Sequence, residues 1–569
     1  ASNNTGLGYL ALSATTTGAW NTALGSGALL LNTTGEYNTA VGFATLDANT
    51  TGVRNVAIGA AALSTNTTAS YNTAVGHGSL NVNTTGANNT AVGYQALDAN
   101  TTAGSNTAVG YQALAANTTG ASNVAIAAYA LDANTTGTWH TAVGYGALGA
   151  ITTGNNGTAF GYEALKVATV GDNTAIGTQA LVANTTGTGN TAVGQSALDA
   201  NTTTHYNTAV GTSALGANTT SNNSAVGYQA LLANTTGTQN TALGSGALVA
   251  NTTAANNTAV GYRASYTAAG ASAQNTAVGM SALYTNNGGE YNTALGYYSM
   301  QGATTGDYNT AIGASTMVAA NTGSYNNAVG YLALTANTSG AQNNAVGGGS
   351  LDANTTGSYN TAMGHDSLSA NTTASNNTAF GHSALALNTT GDTNVSIGLN
   401  SLDANTTGSA NTAVGVHALG GNTTADNNVA VGYNALKANT TGTDNVGIGH
   451  NALTANTTAN DNTAVGDNAL STNATTNSNT AFGSGALATS VGSNNVAVGA
   501  SALTANTTAN NNVAVGTNAL STNTTGASNV AVGHDALVAS TTASNNVAVG
   551  KDALAACTTG HSNTAIGQD

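Results

Sequence analysis

The sequence predicts an all-β protein, a parallel β-solenoid (β-roll) of about 34 coils with a 17-residue repeat. Three observations carry that prediction. The first is period: the glycines that close each Asn-Thr-Ala-Val-Gly stand 17 residues apart at Gly8, Gly25, Gly42, Gly59, Gly76, Gly93 and Gly110, and the series runs on to Gly567. Of its 33 intervals, three (ending at Gly177, Gly227 and Gly499) are 16 and one (ending at Gly279) is 18. So strict a period marks units that bury their cores only against their neighbours. The second is alternation over five residues in each unit, which is the period of a strand. The third is a run of Asn-Thr-Thr-Gly/Ala with turn chemistry. No 3.6-residue pattern is present to suggest a helix.

Each unit is numbered here from its opening asparagine, so that Asn38 is position 1 and Arg54 is position 17. Positions 1 to 5 read as a strand. Positions 2 and 4 share one face and are the more apolar pair, as in Val56 and Ile58 or Val513 and Val515. Their β-branching suits a sheet, so that face is expected to line the core. Ala at position 3 and Gly at position 5 would then form a flat outer face. A second strand is expected around the leucine at position 9 (Leu46, Leu97, Leu114, Leu520), pointing inward. Positions 12 to 15 close the turn.

Stacked in register at about 4.8 Å per rung, such coils would make a rod on the order of 160 Å long. Identical positions would stack as ladders. The asparagines of position 1, among them Asn38, Asn55, Asn72, Asn89 and Asn106, are expected to form a structural amide ladder. Glycine at position 5, replaced only by Ala127, implies a left-handed backbone or a close approach by another backbone. The extra residue before Gly279 falls within 268–274 and is expected to bulge at a turn. The short units near Val170-Gly171, Ser221-Asn222 and Val491-Gly492 have lost a turn residue. Position 15 often alternates between Ala and Gly in adjacent units, as at Ala509, Gly526, Ala543 and Gly560, which hints at a 34-residue super-repeat.

Composition bounds the function. Charged residues are 4% of the 569, proline is absent, and aromatics are 5%. Small apolar residues of this kind fill a narrow core and not a wide one. The formal charge is −15, with five Lys plus Arg against 20 acids. No basic stripe is present to neutralise phosphates, which argues against nucleic-acid binding. No run of 18 apolar residues suggests a membrane span. The lone Cys557 replaces an asparagine at position 12, either as a tolerated substitution or as an intermolecular crosslink. The chain reads as one continuous solenoid over 1–569, with no separate cap, stalk or anchor domain.

The units Asn55-Val56-Ala57-Ile58-Gly59, Asn123-Val124-Ala125-Ile126 and Asn394-Val395-Ser396-Ile397-Gly398 resemble the head repeats of trimeric autotransporter adhesins, whose signature is Asn-Ser-Val-Ala-Ile-Gly. Similar repeats occur in phage tail fibres. The resemblance implies a parallel β-roll, side-by-side packing of three chains, and a surface that binds host matrix or cells. The repeat here is longer than that family's, and neither a heptad-patterned stalk nor a C-terminal membrane barrel appears.

Catalysis is not expected, nor is any cofactor or metal. Acids recur at position 10 (Asp47, Asp98, Asp132, Asp199, Asp352, Asp403), one per coil, and are expected on a solvated edge rather than paired with a base at one site. The histidines His77, His365, His382, His450 and His534 occupy position 6, and His365 and His382 fall on adjacent coils. The same position carries Tyr94, Tyr111, Tyr145, Tyr162, Tyr228, Tyr297 and Tyr331, a possible interaction surface. Position 17 carries a second series, including Tyr37, Tyr71, Tyr291, Tyr308 and Tyr325. Asn-Thr-Thr, as at Asn49, Asn100, Asn134, Asn405 and Asn506, fits the N-glycosylation acceptor pattern, and a structural turn ladder predicts the same residues.

The expected function is therefore a non-enzymatic extracellular structural protein, on a cell or virion surface. Its rods would self-associate end to end or laterally, with trimers as one such arrangement, into a fibre. Open strand edges would favour this. An adhesin or tail-fibre segment that binds glycans or surfaces is the alternative. An ice-binding solenoid is a second alternative, although a regular Thr-x-Thr face is missing.

Overall fold

In a computed structural model the chain is a parallel β-solenoid with 34 three-residue strands and no helix among the described residues, which are 2–268 and 272–569. It divides into two compact units, one of residues up to Ser281 with Asn286–Gly288, the other of Ala282–Thr285 with Gly289–Asp569. The first holds β1 (Thr5–Leu7) to β17 (Thr276–Val278) and the second β18 (Thr293–Leu295) to β34 (Thr564–Ile566). Within each unit neighbouring strands pair in parallel with like residues opposite, as in Thr39↔Val56 and Val41↔Ile58, or Val513↔Val530 and Val515↔Val532. The 16-residue intervals leave this register intact (Thr158↔Thr174, Thr480↔Val496), because the missing residue comes out of the turn. The bulge expected within 268–274 includes 269–271, which lie outside the described residues.

The strand faces the opposite way from the sequence expectation. Alanine at position 3 is fully buried, as at Ala40, Ala57 and Ala74, while positions 2 and 4 look outward. The reason is volume. Gly447 stands in an alanine position, and a Cβ added there would already lie 3.2 Å from Cγ of Leu436 in the preceding coil. The interior opposite the strand is filled by that leucine, so a branched residue at position 3 has no room. Hydrophobicity alone favoured Val and Ile for the core, but a coil of 17 residues is too narrow to hold them.

The expected second strand is also absent. Leucine at position 9 points inward and is fully buried, yet it sits in the left-handed region, as does position 7: Ala44 has φ 49° and Leu46 φ 52°. Position 17 is the third such corner (Tyr37, φ 59°). Each left-handed residue costs roughly 1–2 kcal/mol. Coil-to-coil hydrogen bonds persist through these corners and offset that cost, with the Ala44 N–H donating to Ser26 O at 3.0 Å and the Leu46 N–H to Ala62 O at 3.0 Å. The chain turns sharply enough to close a ring and still keeps its backbone paired.

Glycine at position 5 follows from this stacking. Gly93 has φ +137°, and a Cβ on it would fall 2.3 Å from the carbonyl oxygen of Gly110 in the next coil. Both reasons read from the sequence, handedness and close approach, act together here.

Two buried asparagine ladders complete the core. At position 1 the Asn55 backbone N–H donates to Asn38 Oδ1 at 2.9 Å, and Asn55 Nδ2 donates to Ala69 O at 2.9 Å. At position 12 Asn49 Nδ2 donates to Asn32 Oδ1 at 2.9 Å and to Gly52 O at 3.0 Å. The position-15 carbonyl thus accepts from both ladders, as Gly52 O does from Asn38 Nδ2 at 2.9 Å. Asn38, Asn55, Asn72, Asn89 and Asn106 are all buried in this way.

Candidate interaction surface

Outward side chains alternate along each coil at positions 17, 2, 4 and 6. In one coil these are Tyr37, Thr39, Val41 and Phe43. Position 4 forms a row of aliphatic or aromatic side chains, without exception Val, Ile, Leu, Phe or Met. Position 2 is Thr or Val, with Ser224, Asn327 and Asn344 as the departures. No charge enters either row. The largest members stand well clear of the sheet: Phe160, Phe380 and Phe482 are 55%, 53% and 56% exposed.

Aromatic rows border this face on both sides. At position 6, Tyr94 stacks on His77 and on Tyr111, each at 5.4 Å between ring centres, and Tyr145 stacks on Tyr162 at 5.6 Å. Tyr228, in the first unit, and Tyr297 and Tyr331, in the second, are likewise exposed. Tyr297 is matched by Tyr298 at 4.0 Å. At position 17, Tyr308 stacks between Tyr291 and Tyr325 at 4.7 and 5.0 Å. Arg54 lies between Tyr37 and Tyr71, 5.4 and 5.6 Å from their ring centres, and donates to the Tyr71 hydroxyl at 2.8 Å.

Other residues singled out by the sequence are placed as follows. The position-10 acids are half-buried rather than on an open edge. Desolvation pushes the Asp47, Asp199 and Asp403 carboxyls above the ordinary range, and nearby backbone N–H groups offset part of that. His365 and His382 stack at 5.5 Å. His365 Nδ1 is engaged by Asp366 at 2.9 Å. A grouping that the sequence reading missed lies at positions 6 and 7 of adjacent coils: His534, Asp535 and Asp552 bring one ligand atom each within 4.8 Å of one another. Lys551 Nζ, 3.1 Å from Asp552, competes there with any cation. Asn49, Asn100, Asn134, Asn405 and Asn506 are fully buried. A glycan on their Nδ2 atoms would have to occupy the coil interior, so the fold excludes modification at these five. Cys557 fills an asparagine slot, with Sγ 3.6 Å from Gly560 O.

The coils between Asn123 and Ala168 depart most from the repeat. His140 replaces an amide of the position-1 ladder and is fully buried. Its Nδ1 accepts from the Gly157 N–H at 3.0 Å and its Nε2 contacts Gly154 O at 2.6 Å, so the neutral ring carries its proton on Nε2. Burial holds its pKa below the usual imidazole value. Outside the coil at the same level is a surface recess of about 400 Å³, lined by Tyr129, Asp132, Tyr145, Tyr162, Glu163 and Lys166, with Gly146 and Gly149 at its floor. Glycine at positions 7 and 10 of one coil was a legible signal for it.

No protein-family model matches the chain, and no curated protein matches it. Among the described residues no helix is long and apolar enough to cross a membrane.

Proposed function

We propose that this is a non-enzymatic structural protein of an extracellular surface, whose coils associate side by side with a second copy of the chain through the sheet face of positions 2 and 4, to build a fibre. The observation that carries the reading is the position-4 row. Each unit contributes 17 strands, and every one of them turns an apolar side chain outward with no charge interposed. Soluble monomers rarely expose contiguous apolar surface beyond a few hundred Å², and natural sheets interrupt such rows with lysine or proline. Neither interruption occurs here. The acids that make the chain negative lie at other positions, so two such faces meet without like-charge repulsion. The smooth Ala/Gly face expected from sequence is not available for this role, because its alanines are inside.

Electron microscopy and analytical ultracentrifugation of the full chain test the proposal. Laterally associated fibres are expected, and the triple substitution Val75→Lys, Val92→Lys, Val109→Lys should disperse them while leaving the circular dichroism spectrum unchanged. A strictly monomeric chain at all concentrations would sink it.

A second reading is favoured by the same reversal of the strand. Threonine at position 2 is ranked in register on parallel strands and faces outward, as at Thr73, Thr90 and Thr107, which is the flat, regular presentation an ice-binding face requires. Thermal hysteresis of the folded chain measures this directly, and none would reject it. The resemblance to adhesin heads and tail fibres supports a third possibility, surface recognition by the tyrosine rows. Replacing Tyr94, Tyr111 and Tyr145 with alanine should then abolish surface binding without unfolding the coil.

A further inference from the structure

Six coils carry glycine in the left-handed corner at position 7: Gly27, Gly78, Gly146, Gly246, Gly349 and Gly485. Each lacks a side chain where its neighbours have one. At several of them a side chain of the next coil occupies the gap. Asp366 Oδ1 would lie 2.5 Å from a Cβ on Gly349, Tyr266 3.2 Å from one on Gly246, and Gln95 Cγ 3.5 Å from one on Gly78. A Cβ on Gly146 would meet nothing within 4 Å.

Two features keep that gap open. Glycine also occupies position 10 of the same coil, at Gly149, so a second side chain is missing beside the first. In the next coil Glu163, the residue placed to fill the space, is held elsewhere. Its Oε1 lies 2.7 Å from Lys166 Nζ, and its Oε2 accepts from Gln179 Nε2 at 3.3 Å, one coil further on. The result is the recess of about 400 Å³. Tyr129 and Asp132 form one wall and Glu163 and Lys166 the other, with Tyr145 and Tyr162 alongside.

We propose that this recess is a binding site for a neutral pyranose sugar of one or two rings. The walls belong to coils two rungs apart, on the order of 9.6 Å between backbones. With the intervening side chains absent, the slot has the thickness of a single six-membered ring. Tyrosine rings offer apolar faces to the axial C–H groups of such a ring. The carboxylates of Asp132 and Glu163 accept from equatorial hydroxyls, and the Lys166 ammonium donates to a hydroxyl or ring oxygen. Two carboxylates against one ammonium disfavour an acidic sugar. A purely apolar ring would desolvate those charged groups without pairing them. The volume lies within the range of small-molecule sites, roughly 300–1,000 Å³. The site is contained in one stretch of coil, so it operates whether or not chains associate.

Saturation-transfer-difference NMR on the full chain, with glucose, galactose, N-acetylglucosamine, cellobiose, maltose and chitobiose at millimolar concentration, tests this. At least one sugar is expected to bind. Gly146→Gln should weaken that sugar roughly tenfold or more, which corresponds to about 1.4 kcal/mol. The substitution keeps the fold, because glutamine already stands in the same left-handed corner at Gln95 and Gln112 (φ 51° and 53°). Lys166→Ala frees Glu163 to enter the gap and should weaken the same sugar. Failure of every sugar to bind, binding indifferent to Gly146→Gln, or tighter binding of choline or glucuronate than of any neutral sugar would each overturn the proposal.

Discussion

The backbone N–H of Asn89 donates to Oδ1 of Asn72 at 2.9 Å, in the preceding coil, while Asn72 Nδ2 donates to the carbonyl oxygen of Gly86 at 3.0 Å. One side chain thus satisfies a buried donor of one coil and a buried acceptor of the turn. The consequence is testable. Asn72→Ala leaves the Asn89 N–H unpaired, at a cost of about 1–3 kcal/mol, while the Gly86 carbonyl keeps its bond from Asn83 Nδ2 at 2.9 Å. Chemical denaturation and amide exchange should show a matching local loss, concentrated at Asn89. Thr85→Ala, at an exposed turn position, should be nearly neutral.

Position 5 makes a second prediction, with opposite signs at two sites. Gly93→Ala forces a Cβ against the Gly110 carbonyl and a left-handed backbone, and should destabilise by roughly 1–3 kcal/mol. Ala127 already bears that strain, with φ displaced to 101° against +137° at Gly93. Ala127→Gly should therefore raise Tm. Differential scanning calorimetry of the two variants decides it, and equal, same-sign shifts would contradict the stacking argument.

The half-buried acids imply a pH dependence. Burial raises the folded-state pKa of Asp47, Asp199, Asp352 and Asp403 above the unfolded value. The native state therefore binds protons more tightly than the unfolded chain, and stability falls as pH climbs through the window between the two values. Above that window the penalty is complete. Replacing these four with asparagine should raise Tm at neutral pH and flatten the dependence just above the ordinary carboxylate range. The gain is well under about 1 kcal/mol each, because solvent still screens them.

His140 has the reverse sign. Its folded-state pKa is depressed by burial, so the stability it allows is fully present above the usual imidazole value of about 6.5 and is lost as pH falls below it. Protonation removes the acceptor of the Gly157 N–H. Exchange of that amide should accelerate in mild acid beyond its ordinary pH trend, and His140→Asn should remove the effect by restoring the amide ladder.

The ladders at Asn38 and Asn49, the inward leucine at Leu46 and the glycine requirement at Gly93 were all legible in the chain, because each follows from periodicity or from backbone geometry that only certain residues tolerate. The recess was half legible. Gly146 and Gly149 mark it, but the Glu163–Lys166 pair that holds it open depends on rotamers in a neighbouring coil. The grouping of His534, Asp535 and Asp552 was missed because Asp552 joins the consecutive His534 and Asp535 only when coils stack.

Sequence by itself determined that this is a parallel solenoid, since a 17-residue period with strand alternation and regular turn residues leaves no other way to bury its apolar side chains. Only the tertiary structure decided which strand face is inside and how the ring closes. Hydrophobicity ranks Val41 above Ala40 for burial, but the space opposite the strand is already taken by leucine. Volume therefore overrode transfer free energy, placed the small residue inward, and left the branched row on the surface. The same narrowness replaced the expected second strand with left-handed corners at Ala44 and Leu46.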